Sequence, residues 1–391
     1  MQSQIKGSVE STSTQDDRIP FYQYSLMEST PYDLYEEEVK DSAFYDNSMF
    51  SENSNTIEES KSSSHAGTCK KEEINVSLID GRYQIVKRFG KSTEPYKQVY
   101  LVQDIKSHSL VVLKFFNTNE ASYFQDEVEA NLRVNPSSTR QVLMERFVDY
   151  SQQKQPVNLC GIDFHIYAYM TMPYCKYGSV IDLLIKANDQ NRQISLELQK
   201  YLFRGLLLAI NELYQLSGLS HCDIKPDNVV IDENFQVKLI DYGHALPKNT
   251  FTDKVTGTDQ YMAPEIIQTQ KCPQQGLQYH TDQVDVFNIG VYLFILMFQK
   301  PPFIDRADPK DPFYRLVCEQ RFSDFFVRHG ASAEQRIPLD GLNVIWSSLD
   351  CQAHKRPSIT DLMITPFVRL GPNENMMICD DLKDEIVSFF L

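Results

Sequence analysis

Between His221 and Ile231 the chain reads His-Cys-Asp-Ile-Lys-Pro-Asp-Asn-Val-Val-Ile. A carboxylate at Asp223, an ammonium at Lys225 and a carboxamide at Asn228 fall within one short turn, and an apolar run comes directly after them. A second acid stands in Lys238-Leu239-Ile240-Asp241-Tyr242-Gly243, and Tyr261-Met262-Ala263-Pro264-Glu265 comes after it. Any one of these segments could sit on a surface loop by chance. Their succession in a single order could not, and it demands a fold in which they serve one site.

The rest of the chain must supply that fold. Its 391 residues are enough for one large domain or two smaller ones with tails, and an apolar content of 42% is ample for a core. The net charge of −15 argues against a nucleic-acid-binding stripe or a basic membrane patch. Most of that charge lies early: residues 1–73 hold 15 acidic and 6 basic side chains. Rich in Ser, Thr, Asn, Gln and acids, with no sustained period of 2 or 3.6, residues 1–78 are expected to be a disordered acidic tail. Two tyrosine-rich patches interrupt it, Phe21–Met27 and Tyr32–Val39. They could be docking or pseudosubstrate-like elements, although a solvated tail is the favoured reading. The eight cysteines form no C-x-x-C pair, which fits reduced thiols better than a disulfide framework or a zinc site. No apolar signal region opens the chain, and the longest apolar run, Ile289–Phe298, is about half of what a membrane span needs. A cytoplasmic location, with the nucleus as an alternative, is the expectation.

Order is expected from Ile79. Arg82–Phe89, Gln98–Gln103 and Leu110–Phe116 read as strands, partly alternating and rich in β-formers. The third carries one lysine, Lys114, in an apolar run, and a buried ammonium needs a partner. The helical segment Ala121–Val134 offers Glu127, with Glu129 as the alternative. Gln141–Asp149 and Phe164–Thr171 read as further strands. Leu196–Leu216 repeats apolar residues mostly at 3 and 4, and Asp285–Phe294 is apolar nearly all round, hence a buried helix.

In order and spacing, these segments resemble the eukaryotic protein kinases, over residues 83 to 368 or so. The resemblance implies an α+β fold of two lobes: a small β-rich lobe over about 83–171 and a larger helical lobe over about 176–368, within a domain at 79–368, with a short acidic tail at 369–391. It implies ATP and Mg²⁺ as cosubstrate and metal, and protein substrates. Asp223 would orient the substrate hydroxyl and accept its proton, Lys225 would sit by the γ-phosphate, and Thr258 would bond both. Asn228 and Asp241 would be the oxygen donors to Mg²⁺, which favours a few hard ligands plus phosphate oxygens. Lys114, paired with Glu127, would hold the α- and β-phosphates; Asn131 then falls where these kinases usually place an apolar side chain. Met172 would be the gatekeeper, adenine would be read by the carbonyl of Pro173 and the main chain of Cys175, and Val99, Val112 and Val230 would complete the nucleotide pocket. Arg356 is the implied buried partner of Glu265. Lys225 with Pro226 resembles the Ser/Thr branch rather than the tyrosine branch, and the stretch from Asp285 to Phe303 resembles the calmodulin-dependent kinases.

Two departures stand out. The phosphate-covering loop keeps only Gly90 of its usual glycines, and Gly90 to Val99 is two residues longer than the usual spacing, so ATP should be held loosely. The usual arginine before the catalytic aspartate is Cys222. That arginine normally pairs with a phosphorylated activation segment, so activity should depend little on phosphate at Thr250, Thr252 or Thr256. The rival readings are a pseudokinase acting as a binding or scaffold module and, less favoured, a small-molecule kinase of the same fold.

Overall fold

The computed structural model describes residues 78–89, 99–134, 149–152, 157–159, 162–164, 166–331, 337–369 and 377–391. The expected tail, save Leu78, lies outside them, as do Gly90 with the rest of its loop and the strand expected over Gln141–Asp149, save Asp149.

Among the described residues, strands β1 (Tyr83–Phe89), β2 (Val99–Asp104) and β3 (Leu110–Asn117) are followed by helix α1 (Ala121–Arg133). Then come β4 (Asp149–Gln152), β5 (Val157–Leu159), β6 (Ile162–Phe164) and β7 (Ile166–Pro173). Five of these strands form one sheet in the order β1-β2-β3-β7-β4, and β5 with β6 makes a separate hairpin. The period of 2 in β3 explains how the sheet serves two purposes. Val111, Leu113 and Phe115 are buried against Tyr83, Tyr100, Val102 and Tyr169. Val112 and Lys114 are only partly buried, on the opposite face. Phe124 of α1 packs on Phe116, Ala168 and Met170, which fastens the helix to the sheet. Strand β7 runs two residues past its expected end, so Met172 and Pro173 still pair with Val112 and Val111.

The second lobe begins with α2 (Val180–Asp189), started by a capping box of Ser179 and Asp182, and α3 (Leu196–Leu216), capped by Ser195. Short strands come next: β8 (Leu219–Ser220), β9 (Val229–Ile231), β10 (Val237–Leu239), β11 (Leu246–Pro247) and β12 (Phe251–Thr252). Helix α4 (Pro264–Lys271) and β13 (Tyr279–His280) lead into α5 (Thr281–Phe298). Four helices follow, α6 (Pro312–Cys318), α7 (Phe322–Arg328), α8 (Leu339–Ser348) and α9 (Ile359–Met363); α8 and α7 pack on α5, α6 on α7, and α9 on α3. Among the described helices α5 alone is long and apolar enough to cross a membrane, yet 83% of it is buried in the protein. Its composition is that of a core helix. Arg356 grips Glu265 with two hydrogen bonds of 2.7 and 2.8 Å and also donates to the carbonyls of Gln283 and Asp350. The end of the domain is thereby tied to the start of α4.

Beyond Val368, where only an acidic tail is expected, Asp380–Phe390 folds as helix α10 against α2. Ile386 and Phe389 are buried, the Arg192 guanidinium lies 4.2 Å from the centroid of the Phe389 ring, and Glu385 accepts from both the amide and the hydroxyl of Ser195. Phe390 meets Tyr177 edge to face at 5.9 Å. Acid count hid an amphipathic pattern in which Leu382, Ile386 and Phe389 share one face. Phe389→Ala should weaken this docking by up to about 3–5 kcal/mol, read as faster amide hydrogen exchange across 380–390.

Candidate active site

The catalytic turn is held from beneath. The main-chain N–H groups of His221 and Cys222 donate to the two carboxylate oxygens of Asp285 on α5, at 2.8 and 2.7 Å, and the Tyr214 hydroxyl donates to Asp285 at 3.0 Å. Burial pushes the Asp285 carboxyl up to about 7 in spite of these donors. Cys222 takes a positive φ of 60°, which swings the chain so that the next residue, Asp223, faces the cleft. The His221 ring reaches the Ile240 carbonyl at 2.9 Å, and burial lowers its pKa, so it is a neutral strut at ordinary pH.

Four of the side chains expected at the site form one cluster. Lys225 Nζ lies 2.9 Å from Asp223 Oδ2 and 2.6 Å from Thr258 Oγ1. The Thr258 N–H donates to Asp223 Oδ1 at 2.8 Å. Asn228 Nδ2 donates to the Asp223 carbonyl at 2.9 Å, which leaves its Oδ1 as the amide's acceptor. Burial works to raise the Asp223 pKa, but the Lys225 charge and hydrogen bond, together with the nearby imidazoles, outweigh it and the net shift is downward. Asp223 is therefore a carboxylate throughout the neutral range.

A second cluster joins the lobes. Lys114 Nζ lies 2.9 Å from Glu127 Oε2 and 3.0 Å from Asp241 Oδ1. Glu129 faces outward and pairs with Arg133, so Glu127 is the partner. Asn131 is buried, and its amide donates to the Glu127 carbonyl one turn back, which is how a polar residue is tolerated in that place. Burial pushes Glu127 up to about 7, with Lys114 opposing. For Asp241, burial is overcome by the Lys114 charge and hydrogen bond, and its carboxyl is held well below the usual range. Asp241 itself adopts a left-handed conformation, φ 65°. A residue that sequence reading missed, Tyr123 on α1, donates to Asp241 Oδ1 at 3.2 Å. Its ring lies where any Cβ at position 243 would be, which explains Gly243. No motif marks such a tyrosine; only the packing of α1 against residues 242–244 brings it there.

The expected nucleotide-contacting residues line the strands above and below. Val99 pairs with Lys114 and Val112 with Met172 across the sheet. Val230, in the larger lobe, forms a bridge to Ser179 of the same lobe. Between them the chain turns sharply at Cys175, whose carbonyl accepts from Gly178 N–H at 3.1 Å. Pro173 keeps its carbonyl at the end of β7. Among the described residues no group of three or more His, Cys, Asp and Glu side chains could cage a metal. Asp241 and Asn228 offer one carboxylate and one amide oxygen, and the Ile240 N–H bonded to the Asn228 carbonyl at 3.0 Å ties their two segments together. Such a sparse, hard donor set fits Mg²⁺ that arrives with phosphate oxygens and water.

The same arrangement is legible in comparison with other proteins. A sequence profile of the protein kinase domain matches residues 83–368. The chain belongs to the protein kinase family. It is 34% identical over 141 residues to human serine/threonine-protein kinase MRCK gamma, a match covering 35% of this chain and 9% of that protein. It is 25% identical over 332 residues to Caenorhabditis elegans serine/threonine-protein kinase mig-15, covering 81% and 27%. To Schizosaccharomyces pombe serine/threonine-protein kinase ppk34 it is 24% identical over 241 residues, covering 61% and 65%. The chain thus spans less than two thirds of the length of each of these kinases.

These carboxylates give the fold a pH signature. Asp285, raised from 3.8 to about 7, binds a proton in the folded chain that the unfolded chain has released, so its effect is rising stability as pH drops from about 7 to 4. Asp223 and Asp241, both lowered, act in the opposite sense: their contribution is present above about pH 4 and is lost as pH falls further. The imidazoles of His221, His244 and His329, all lowered by burial, oppose Asp285 as pH falls below about 6.5. The signature to read is therefore on the acid side: urea midpoints should fall steeply from about pH 4 towards about pH 3, and Lys225→Met should shrink that fall.

Proposed function

We propose that the chain transfers the γ-phosphoryl group of ATP to serine and threonine hydroxyls of protein substrates. The reading rests on one observation above all: Asp223, Lys225, Asn228 and Thr258 stand in mutual hydrogen-bond contact with none missing. Phosphoryl transfer needs positioning and charge neutralisation more than covalent work. Asp223, ionised at neutral pH, accepts the hydrogen bond of the incoming hydroxyl, aims its oxygen, and takes the proton late in the transfer. Lys225 places a cation beside the transferred group, and Thr258 keeps Lys225 and Asp223 in register. Lys114 is held by Glu127 for the inner phosphates. Mg²⁺, when bound at Asp241 and Asn228, supplies neutralisation of phosphate charge.

The preference for serine and threonine rests on Lys225 with Pro226, and the names of the relatives carry the same description. Protein substrates, rather than small molecules, are favoured by the Ala263-Pro264-Glu265 segment, which Arg356 locks in place.

Radiolabelled ATP with a mixed panel of protein substrates tests the proposal. Asp223→Asn should lower transfer by about 100-fold or more while Mg-ATP binding, followed by calorimetry, persists. Equal incorporation with wild type and Asp223→Asn would remove the enzyme reading.

A further inference from the structure

Cys222 cannot pair with a phosphate, yet the segment from Asp241 to Glu265 is tied down at both ends. At its start stands His244, three residues past Asp241. Its Nδ1 lies 2.8 Å from Thr256 Oγ1 and accepts the Gly257 N–H at 3.2 Å. An amide N–H can only donate, so Nδ1 is an acceptor and the ring carries its proton on Nε2. Burial keeps the imidazole in that neutral form. The ring is itself pinned: Tyr123 of α1 packs against it edge to face at 5.4 Å.

What His244 holds is adjacent to the chemistry. Gly257 has φ 95°, and a Cβ there would come within 2.8 Å of the Cys222 carbonyl. The next N–H, that of Thr258, is the one bonded to Asp223 Oδ1. The order of contacts therefore runs from Tyr123 to His244, on to Thr256 and Gly257, and through Thr258 to Asp223 and Lys225. Thr256 is only 5% exposed, and its hydroxyl is already engaged by His244.

We infer that His244 is a positioning residue, and that its contacts with Thr256 and Gly257 form an uncharged brace that keeps Thr258 on Asp223 without any phosphate in the segment. Thr256 is on this account a structural hydroxyl, not an activating phosphorylation site, and a negative group there opens the brace. The inference rests on the phosphotransfer reading above, and its test separates the two.

The full chain, treated with phosphatase, is assayed with radiolabelled ATP alongside limited proteolysis of residues 244–258. Thr256→Val removes the hydroxyl and keeps the shape; kcat should fall about tenfold or more, with KM for ATP nearly unchanged and cleavage in the segment faster. Thr256→Ser, which keeps the hydroxyl, should recover most of the rate and the protease resistance. Thr256→Glu should be no more active than Thr256→Val. A second pair covers loss of folding at position 256: His244→Asn keeps an acceptor near Nδ1 and His244→Phe does not, so the asparagine should outperform the phenylalanine. Wild-type rate and protease resistance in Thr256→Val, or activation by Thr256→Glu, would overturn the brace. Absence of transfer in wild type would instead defeat the phosphotransfer reading, and the proteolysis comparison would still decide whether the brace exists.

Discussion

The position of the catalytic turn depends on Asp285. Its carboxylate sits at the buried start of α5 and receives two consecutive main-chain N–H groups and one tyrosine hydroxyl. Three donors are what a buried carboxylate needs, since each unmet lone pair or amide would cost about 1–3 kcal/mol. The chain turns at the same place: Cys222, the second of the two residues whose N–H groups face the carboxylate, adopts φ 60°. Asp223 then emerges towards the cleft by consequence. Asp285 lies within the buried run Val284–Met297, which belongs to the apolar core of the larger lobe.

Across the cleft, the lobes are joined by charge. Lys114 comes from the sheet, Glu127 from α1 and Asp241 from the larger lobe, so a single ammonium on one element pairs with carboxylates on two others. Burial makes this arrangement selective. It drives Glu127 towards its neutral form, whereas at Asp241 the Lys114 charge and hydrogen bond overcome burial and hold the carboxylate ionised. Asp241 also keeps about a quarter of its side-chain exposure. The negative charge available to a cation or a phosphate-bearing ligand therefore lies on Asp241, at the open side of the cleft.

Legibility in the sequence divides along physical lines. Residues whose role is set by local offset were legible: Asp223, Lys225 and Asn228 lie in one turn, and the 3.6-residue and 2-residue periods of α3 and β3 revealed their elements. Lys114 was legible because a lysine in an apolar strand must find an acid, but the choice of Glu127 over Glu129 is made by the structure, where Glu129 pairs with Arg133. Strand ends were not, since β7 continues through Met172 and Pro173 as long as β3 offers it partners. Helix α10 was hidden behind its four acids, three of which face solvent; only its packing on α2 shows what its apolar residues bury. Tyr123, His244 and Thr256 were illegible for a stronger reason. They are distant in sequence and ordinary in type, and their meaning arises only where α1 crosses the segment after Asp241.

The order of that segment is therefore built from short-range contacts. β11 pairs with β8, β12 pairs with β13, and Asp282 accepts from both the Ser220 hydroxyl and the Asn249 N–H. Its ion pair with α1, Lys254 to Asp126, is half exposed at both ends and contributes about 1 kcal/mol at most. A segment ordered by an arginine–phosphate pair responds to a charge that can be added or removed, and its order weakens as salt screens that charge. A segment ordered by a neutral imidazole, an amide and a hydroxyl responds to neither. It responds to shape, because hydrogen bonds lose their strength within a few tenths of an ångström and a few tens of degrees. Gly243 and Gly257 are the two places where that shape admits no side chain, one beneath the Tyr123 ring and the other against the Cys222 carbonyl. The loss of charge at position 222 and the fit of α1 onto residues 242–244 are thus two sides of one arrangement, in which control of the segment passes from electrostatics to packing.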